Sequence, residues 1–358
     1  MNSLQARPVY ILAASLINAA GTHCADLKEA LPTAQPLEFA PERLAYSVPV
    51  PRLPTTVFDR KIQRSVEPQG ARLLYCAAGI AGALKDLNLP DQRIALMAAI
   101  PEVDGPSCSW ETIQAIAEHP EALLAQLFAY TPPLQALMML NSTVMAYVAE
   151  ALHCHGPMGG YCSQGNAGVD ALMEAFEHVA HDRADAAVVV SSSPNLSPAL
   201  YLRDSTEHPI NANSEPHGEG AAALLLTSCP PARGTRCLRI AGIGRGYSAS
   251  PERSGAVAQK VIQQALRGEQ LNLHDVTRIV AAPEDSVLRQ LFAQTVQMID
   301  SASHKIGDLG ASALLTDVAV ALNDPTHRYT LLLNHSRADH WGALLLANDT
   351  KEPQHGLT

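Results

Sequence analysis

Short apolar runs and amphipathic stretches alternate along the whole chain. Residues 9–14 are apolar and lead to a turn at Ala20 and Gly21, after which 25–31 take helical spacing. Consecutive Val, Ile, Leu and Ala predict strands at 93–99, 184–191 and 221–227, and a 3.6-residue apolar period predicts helices at 59–87 and 132–152. The Pro-rich tract 32–54 reads as a surface excursion. A second series follows: strands at 238–243, 278–282, 329–333 and 343–347, with helices at 255–266, 286–296 and 309–322. Between the two series, Cys229 to Gly234 holds two prolines and a glycine, so the expected division is into halves 1–228 and 235–358. Two α/β units packed as one body follow from this order.

Composition narrows the function. With 358 residues, 47% hydrophobic and 17% charged, the chain buries a large core. Its formal charge of −10, from 35 acidic and 25 basic residues, argues against a nucleic-acid partner. Seven cysteines are scattered without a CxxC spacing, which excludes a disulfide framework and a zinc cluster and suits a reducing cytoplasm. The run after Arg7 has the look of a secretion signal, but Pro8, Ser15, Asn18 and an uncharged start argue against one. No run approaches the roughly 18 apolar residues of a membrane span. LHCHGP at 152–157 lacks a fourth metal ligand, GIGRG at 242–246 lacks the helix of a dinucleotide site, and Ser191 to Ser193 lack a GxSxG elbow.

The most informative stretch is GPMGGYCSQGNAGVDALMEAF, Gly156 to Phe176. It resembles the nucleophile segment of β-ketoacyl synthases, in which Gly-Pro precedes a buried strand of about seven residues and a Cys opens the next helix. That helix start has a physical purpose, since unpaired N–H groups stabilise a thiolate. Leaving seven residues after Pro157 for the strand lands on Gly165, and Gly168, Ala171, Leu172, Glu174 and Ala175 then match the family helix. The alternative register puts Cys162 at the nucleophile position, shortens the strand by three residues and matches only the Gly of CSQG.

Other segments resemble the same family in the same order: the opening strand and helix, Asp59-Arg60, LMMLNSTVMAYVAEAL at 137–152, HGEGAAALLL at 217–226, SHKIGDLGASALLTDVAVAL at 303–322 and LLLNHSRADHWGALLL at 331–346. The resemblance implies a thiolase-like fold, two pseudo-repeated α/β halves in a layered α-β-α-β-α arrangement.

Family synthases pair the Cys with two histidines that bind the thioester oxygen and assist malonyl decarboxylation. Residue by residue, these positions fall on Gly165, Pro283 and Asp308, none of which can replace the original group. Proline carries no side-chain proton, and an aspartate anion opposes a developing oxyanion. The glycine-rich closing loop becomes Asn334 to Gly342, which removes its gating aromatic. The resemblance thus implies a degenerate, chain-length-factor-like subunit, without a cofactor or metal, that pairs with an active β-ketoacyl synthase and meets acyl carrier protein through that complex. A branch serving aryl polyene pigments is the expected context. Leu137, Met138, Met139 and Met145 would then be candidates for the acyl-tunnel floor or interface. If Cys162 were instead a displaced nucleophile, His304, His335 and His340 would be the candidate bases.

Overall fold

The computed structural model describes residues 6–29, 32–101, 107–131, 140–163, 165–207, 215–230, 234–282, 285–292, 298–324, 326–336 and 338–349. Leu137, Met138, Met139 and Pro283 lie outside the described residues. The strands are β1 (Tyr10–Asn18), β2 (Gln35–Leu37), β3 (Ala40–Tyr46), β4 (Ile94–Ala99), β5 (Met158–Tyr161), β6 (Ala186–Ser192), β7 (His217–Gly218), β8 (Gly220–Thr227), β9 (Leu238–Tyr247), β10 (Arg278–Ala281), β11 (Met298–Asp300), β12 (Tyr329–His335) and β13 (His340–Ala347).

One sheet runs β11-β10-β12-β13-β9-β1-β8-β6-β4-β5. Outward from the central β1/β9 pair, both sides follow the same plan: β1-β8-β6-β4-β5 on one, β9-β13-β12-β10-β11 on the other. The second strand outward, β8 or β13, is antiparallel to both its neighbours, and the outer pairs are parallel. A small sheet, β2-β3-β7, pairs two strands of the Pro-rich tract read as a surface excursion with β7.

Side-chain alternation explains the layers. Ala95, Met97, Ala187, Val189, Leu224 and Leu332 point inward onto helices Ala167–Ala180 and Ala313–Asn323, which form the central layer. Leu96, Val188 and Leu225 point outward onto helices Pro68–Asp86 and Asn141–Leu152. On the other side, Ile279, Leu331 and Leu345 pack under helix Pro251–Arg267. The α-β-α-β-α order expected from the sequence is therefore present.

Some boundaries differ from the sequence reading. The helix expected from 59 begins at Pro68, because Pro68 holds Glu67 extended (ψ 162°). Helices Ser107–Glu118, Leu123–Tyr130 and Pro198–Glu207 and strand β11 were not anticipated. GIGRG lies within β9: a Cβ at Gly242 or Gly244 would stand 2.0 or 2.2 Å from the carbonyl oxygen of Ala265 or Val261. These glycines let the strand press against its covering helix. No helix among the described residues is long and apolar enough to cross a membrane.

Two buried carboxyls shape the pH response. Burial pushes Glu67 up to about 7, and its Oε1 has no hydrogen-bond partner. Burial likewise pushes Asp317 up to about 7, against the opposing pull of the Ala302 N–H (2.8 Å) and the Arg278 charge. In the unfolded chain both ionise near pH 4. The folded state thus binds more protons between about pH 4 and 7, so stability falls as pH rises through that window. Glu67→Gln and Asp317→Asn are each expected to flatten the fall, by an amount on the order of a few kcal/mol. Urea midpoints between pH 4 and 8 check this, and an unchanged slope in both variants would contradict it.

Candidate functional site

β5 is paired with β4 as far as Ala99↔Tyr161, and Ile100 N–H then donates to the Tyr161 carbonyl (2.9 Å). The strand is four residues long rather than the expected seven. The strand is thus as short as the Cys162 register requires. The helix nonetheless begins at Ala167, two residues after Gly165.

Gly165 sits at φ +73°, the left-handed region that glycine occupies without strain. The second half of the chain converges on it. Asn334 Nδ2 donates to the Gly165 carbonyl (2.7 Å). A Cβ on Gly165 would stand 2.5 Å from Ser336 Cβ, and one on Gly310 would stand 3.9 Å from Gly165 N. The structure thus brings together Gly165 and the segments that follow Asp308 and Asn334.

Asp308 serves the turn beside it. Its Oδ1 accepts the Gly310 N–H (2.8 Å), its N–H donates to the Pro216 carbonyl (2.8 Å), and its carbonyl accepts the Gly218 N–H (2.9 Å). Near Pro283, Asp285 caps helix Ser286–Leu291 by accepting the N–H groups of Val287 (2.8 Å) and Leu288 (3.0 Å).

His335 points away from Gly165. Odd-numbered residues of β12 face helix Pro251–Arg267, and His335 follows Leu331 and Leu333 on that side. Its Nδ1 faces Asp285 Oδ2 at 2.5 Å, its Nε2 faces Asp339 Oδ1 at 3.0 Å, and its ring stacks on Trp341 with centroids 3.7 Å apart. Trp341 Nε1 donates to Ser254 Oγ (2.9 Å), whose hydroxyl donates to Asp339 Oδ1 (2.8 Å). Burial alone would lower the His335 pKa, but hydrogen bonds and charge from Asp285 and then Asp339 hold it above its ordinary value. Both ring nitrogens are taken up by carboxylates, so His335 is not placed as a free base. His340 lies beside the Tyr247 ring (4.8 Å), and the side chain of His304 is outside the described set.

Cys162 is exposed, and the hydrogen-bond partner of its thiol is Asn141 Nδ2 at 3.5 Å. It therefore stands at the end of the edge strand rather than at the helix N-terminus. Half-buried Met145 lies above that edge, its Sδ 3.0 Å from where a Cβ on Gly160 would be. With Ser142, Ala149, Cys154 and Met158 it lines an open groove of about 430 Å³.

One flanking group escaped the sequence reading. Arg72, 1% exposed, donates to Glu219 Oε1 (2.8 Å), Asn195 Oδ1 (3.1 Å) and the Val48 carbonyl (3.1 Å). Glu219 Oε2 also accepts the Val48 N–H (2.9 Å). Burial lowers the Arg72 pKa and Glu219 partly restores it. The signal was an arginine inside the apolar run ARLL.

No family model matches the sequence, and no curated protein does. Solved structures match nearly end to end. A type II PKS acyl-carrier protein in complex with its ketosynthase bound to the hexaketide is 13% identical, with 95% of this chain and 99% of that chain covered and a TM-score of 0.73. The ishigamide ketosynthase/chain length factor is 15% identical, with coverage of 95% and 99% and a TM-score of 0.74. A β-ketoacyl synthase from Burkholderia phymatum STM815 is 15% identical, with coverage of 96% and 99% and a TM-score of 0.71. Likeness at this level of identity concerns architecture, and the architecture of this chain is the ketosynthase-like thiolase fold.

Proposed function

We propose that the chain is a non-catalytic, chain-length-factor-like subunit that pairs with an active β-ketoacyl synthase and shapes its acyl tunnel. The setting is type II polyketide or fatty-acid-like biosynthesis, with an aryl polyene as the product class, in the cytoplasm. Halves 1–228 and 235–358 act as fused parts of one body. The observation that carries this reading is Gly165: the point where both halves converge holds no side chain.

The exposed edge at β5 and the groove beside it support pairing there. Met158 is 55% exposed on a terminal strand, a surface suited to another chain's backbone. An obligate interface of this kind buries over about 2,000 Å². Co-expression with an active ketosynthase should therefore give a complex that survives gel filtration. In that complex, single Ala substitutions at Leu137, Met138, Met139 or Met145 are expected to lengthen the product and Trp substitutions to shorten it. Unchanged product length across all eight variants, with the complex intact, would remove the tunnel role.

The exposure of Cys162 favours a second reading, in which this residue is a displaced nucleophile of an acyltransferase or priming synthase. Intact mass after incubation with acyl thioesters separates the two. An adduct lost in Cys162→Ala would support the enzyme.

A further inference from the structure

We infer that Ser336 keeps position 165 closed, so that this subunit has lost the room for a nucleophile as well as the nucleophile itself. The inference rests on Gly165 as the nucleophile position. A Cβ there would stand 2.5 Å from Ser336 Cβ, 3.3 Å from its Cα and 3.6 Å from its Oγ. The obstacle is therefore the first carbon of the side chain, which no rotamer change can move.

The backbone that carries Ser336 is fixed from both sides. Ser336 N–H donates to the His340 carbonyl (2.9 Å), its Oγ accepts the His340 N–H (3.1 Å) and its carbonyl accepts the Asp339 N–H (3.0 Å). Asn334 before it is bonded to Gly165 itself (2.7 Å). His335, between the two, is clamped on the opposite face of the strand by Asp285 and Asp339 and stacked on Trp341. The hairpin cannot retreat from Gly165 without breaking that clamp. A cysteine at 165 would meet a fixed carbon and, at φ +73°, an unfavourable backbone. Restoring the thiol alone should leave it unreactive.

The test is alkylation by iodoacetamide of the purified chain in a Cys162→Ala background, read at position 165 by peptide mass spectrometry. The thiolate attacks the iodoacetamide methylene: the C–S bond forms, the C–I bond breaks, iodide leaves and the thiol proton passes to buffer. Gly165→Cys alone should label slowly, because access waits on local opening. Adding Ser336→Gly, which deletes the blocking carbon, should speed labelling about 10-fold or more, whereas Ser336→Ala, which keeps that carbon, should not. Equal rates for all three, or equal rescue by Ala and Gly, would overturn the inference. Should the Cys variant fail to fold, Gly165→Ala supplies the second arm. Its drop in Tm should be relieved in the Ser336→Gly background and not in Ser336→Ala, and strictly additive Tm changes would overturn the closure. Pairing with a synthase is read by co-purification, so failure here is distinguishable from failure of the proposed function.

Discussion

Arg72→Ala is expected to cost about 3–5 kcal/mol, the loss seen when one partner of a buried ion pair is removed. Against a total stability of about 5–15 kcal/mol, such a loss leaves a large unfolded fraction at ambient temperature. Glu219 would retain the N–H groups of Val48 and Leu196 but no counter-charge, and Asn195 and the Val48 carbonyl would each lose a donor. The damage would spread to the candidate site, because Gly218, next to Glu219, is bonded to the Asp308 carbonyl. Replacing both charges, as in Arg72→Met with Glu219→Leu, should recover much of the loss, since the desolvation of two ions is removed together. Urea unfolding of the two variants decides. A single-variant loss below about 1 kcal/mol would place the pair among weak, solvent-screened contacts.

His335→Ala has the next largest expected effect, with a sign that depends on pH. Its folded pKa is raised by Asp285 and Asp339, so the clamp contributes fully below the unfolded value of about 6.5. That contribution is lost as pH rises through the folded pKa. The two carboxylates and Trp341 face the ring, and Ser254 completes the group. Removing the imidazolium should cost about 2 kcal/mol or more at pH 6, with a smaller difference at alkaline pH. Tm measured from pH 5.5 to 9 should show wild type and variant converging as pH rises. Parallel curves would mean that His335 is neutral and only packs.

The sequence made legible whatever depends on local pattern. Strands β4, β6 and β8 are covered on both faces, so their unbroken apolar runs were visible, as was the matching start of helix Ala167–Ala180. Gly165 was singled out by its spacing from Pro157, whereas its contact with Asn334 and Ser336 is visible only in the fold. The rest depends on partners far away in the chain. β5 takes its length from its pairing with β4, about sixty residues upstream, and Arg72 meets a carboxylate 147 residues away. His335 entered as a candidate base because the direction of a side chain depends on strand register, and a shift of one residue reverses the face. In the fold it lies on the outer face, two residues beyond Leu333.

The central claim is that this subunit performs no chemistry of its own. Its most direct test is intact-mass analysis and product assay of the purified chain with acyl- and malonyl-loaded carrier protein, alone and with an active ketosynthase partner. The account predicts no acyl adduct and no elongation from the chain alone, and products only from the pair. A stable homodimer that becomes acylated and elongates without a partner would contradict it.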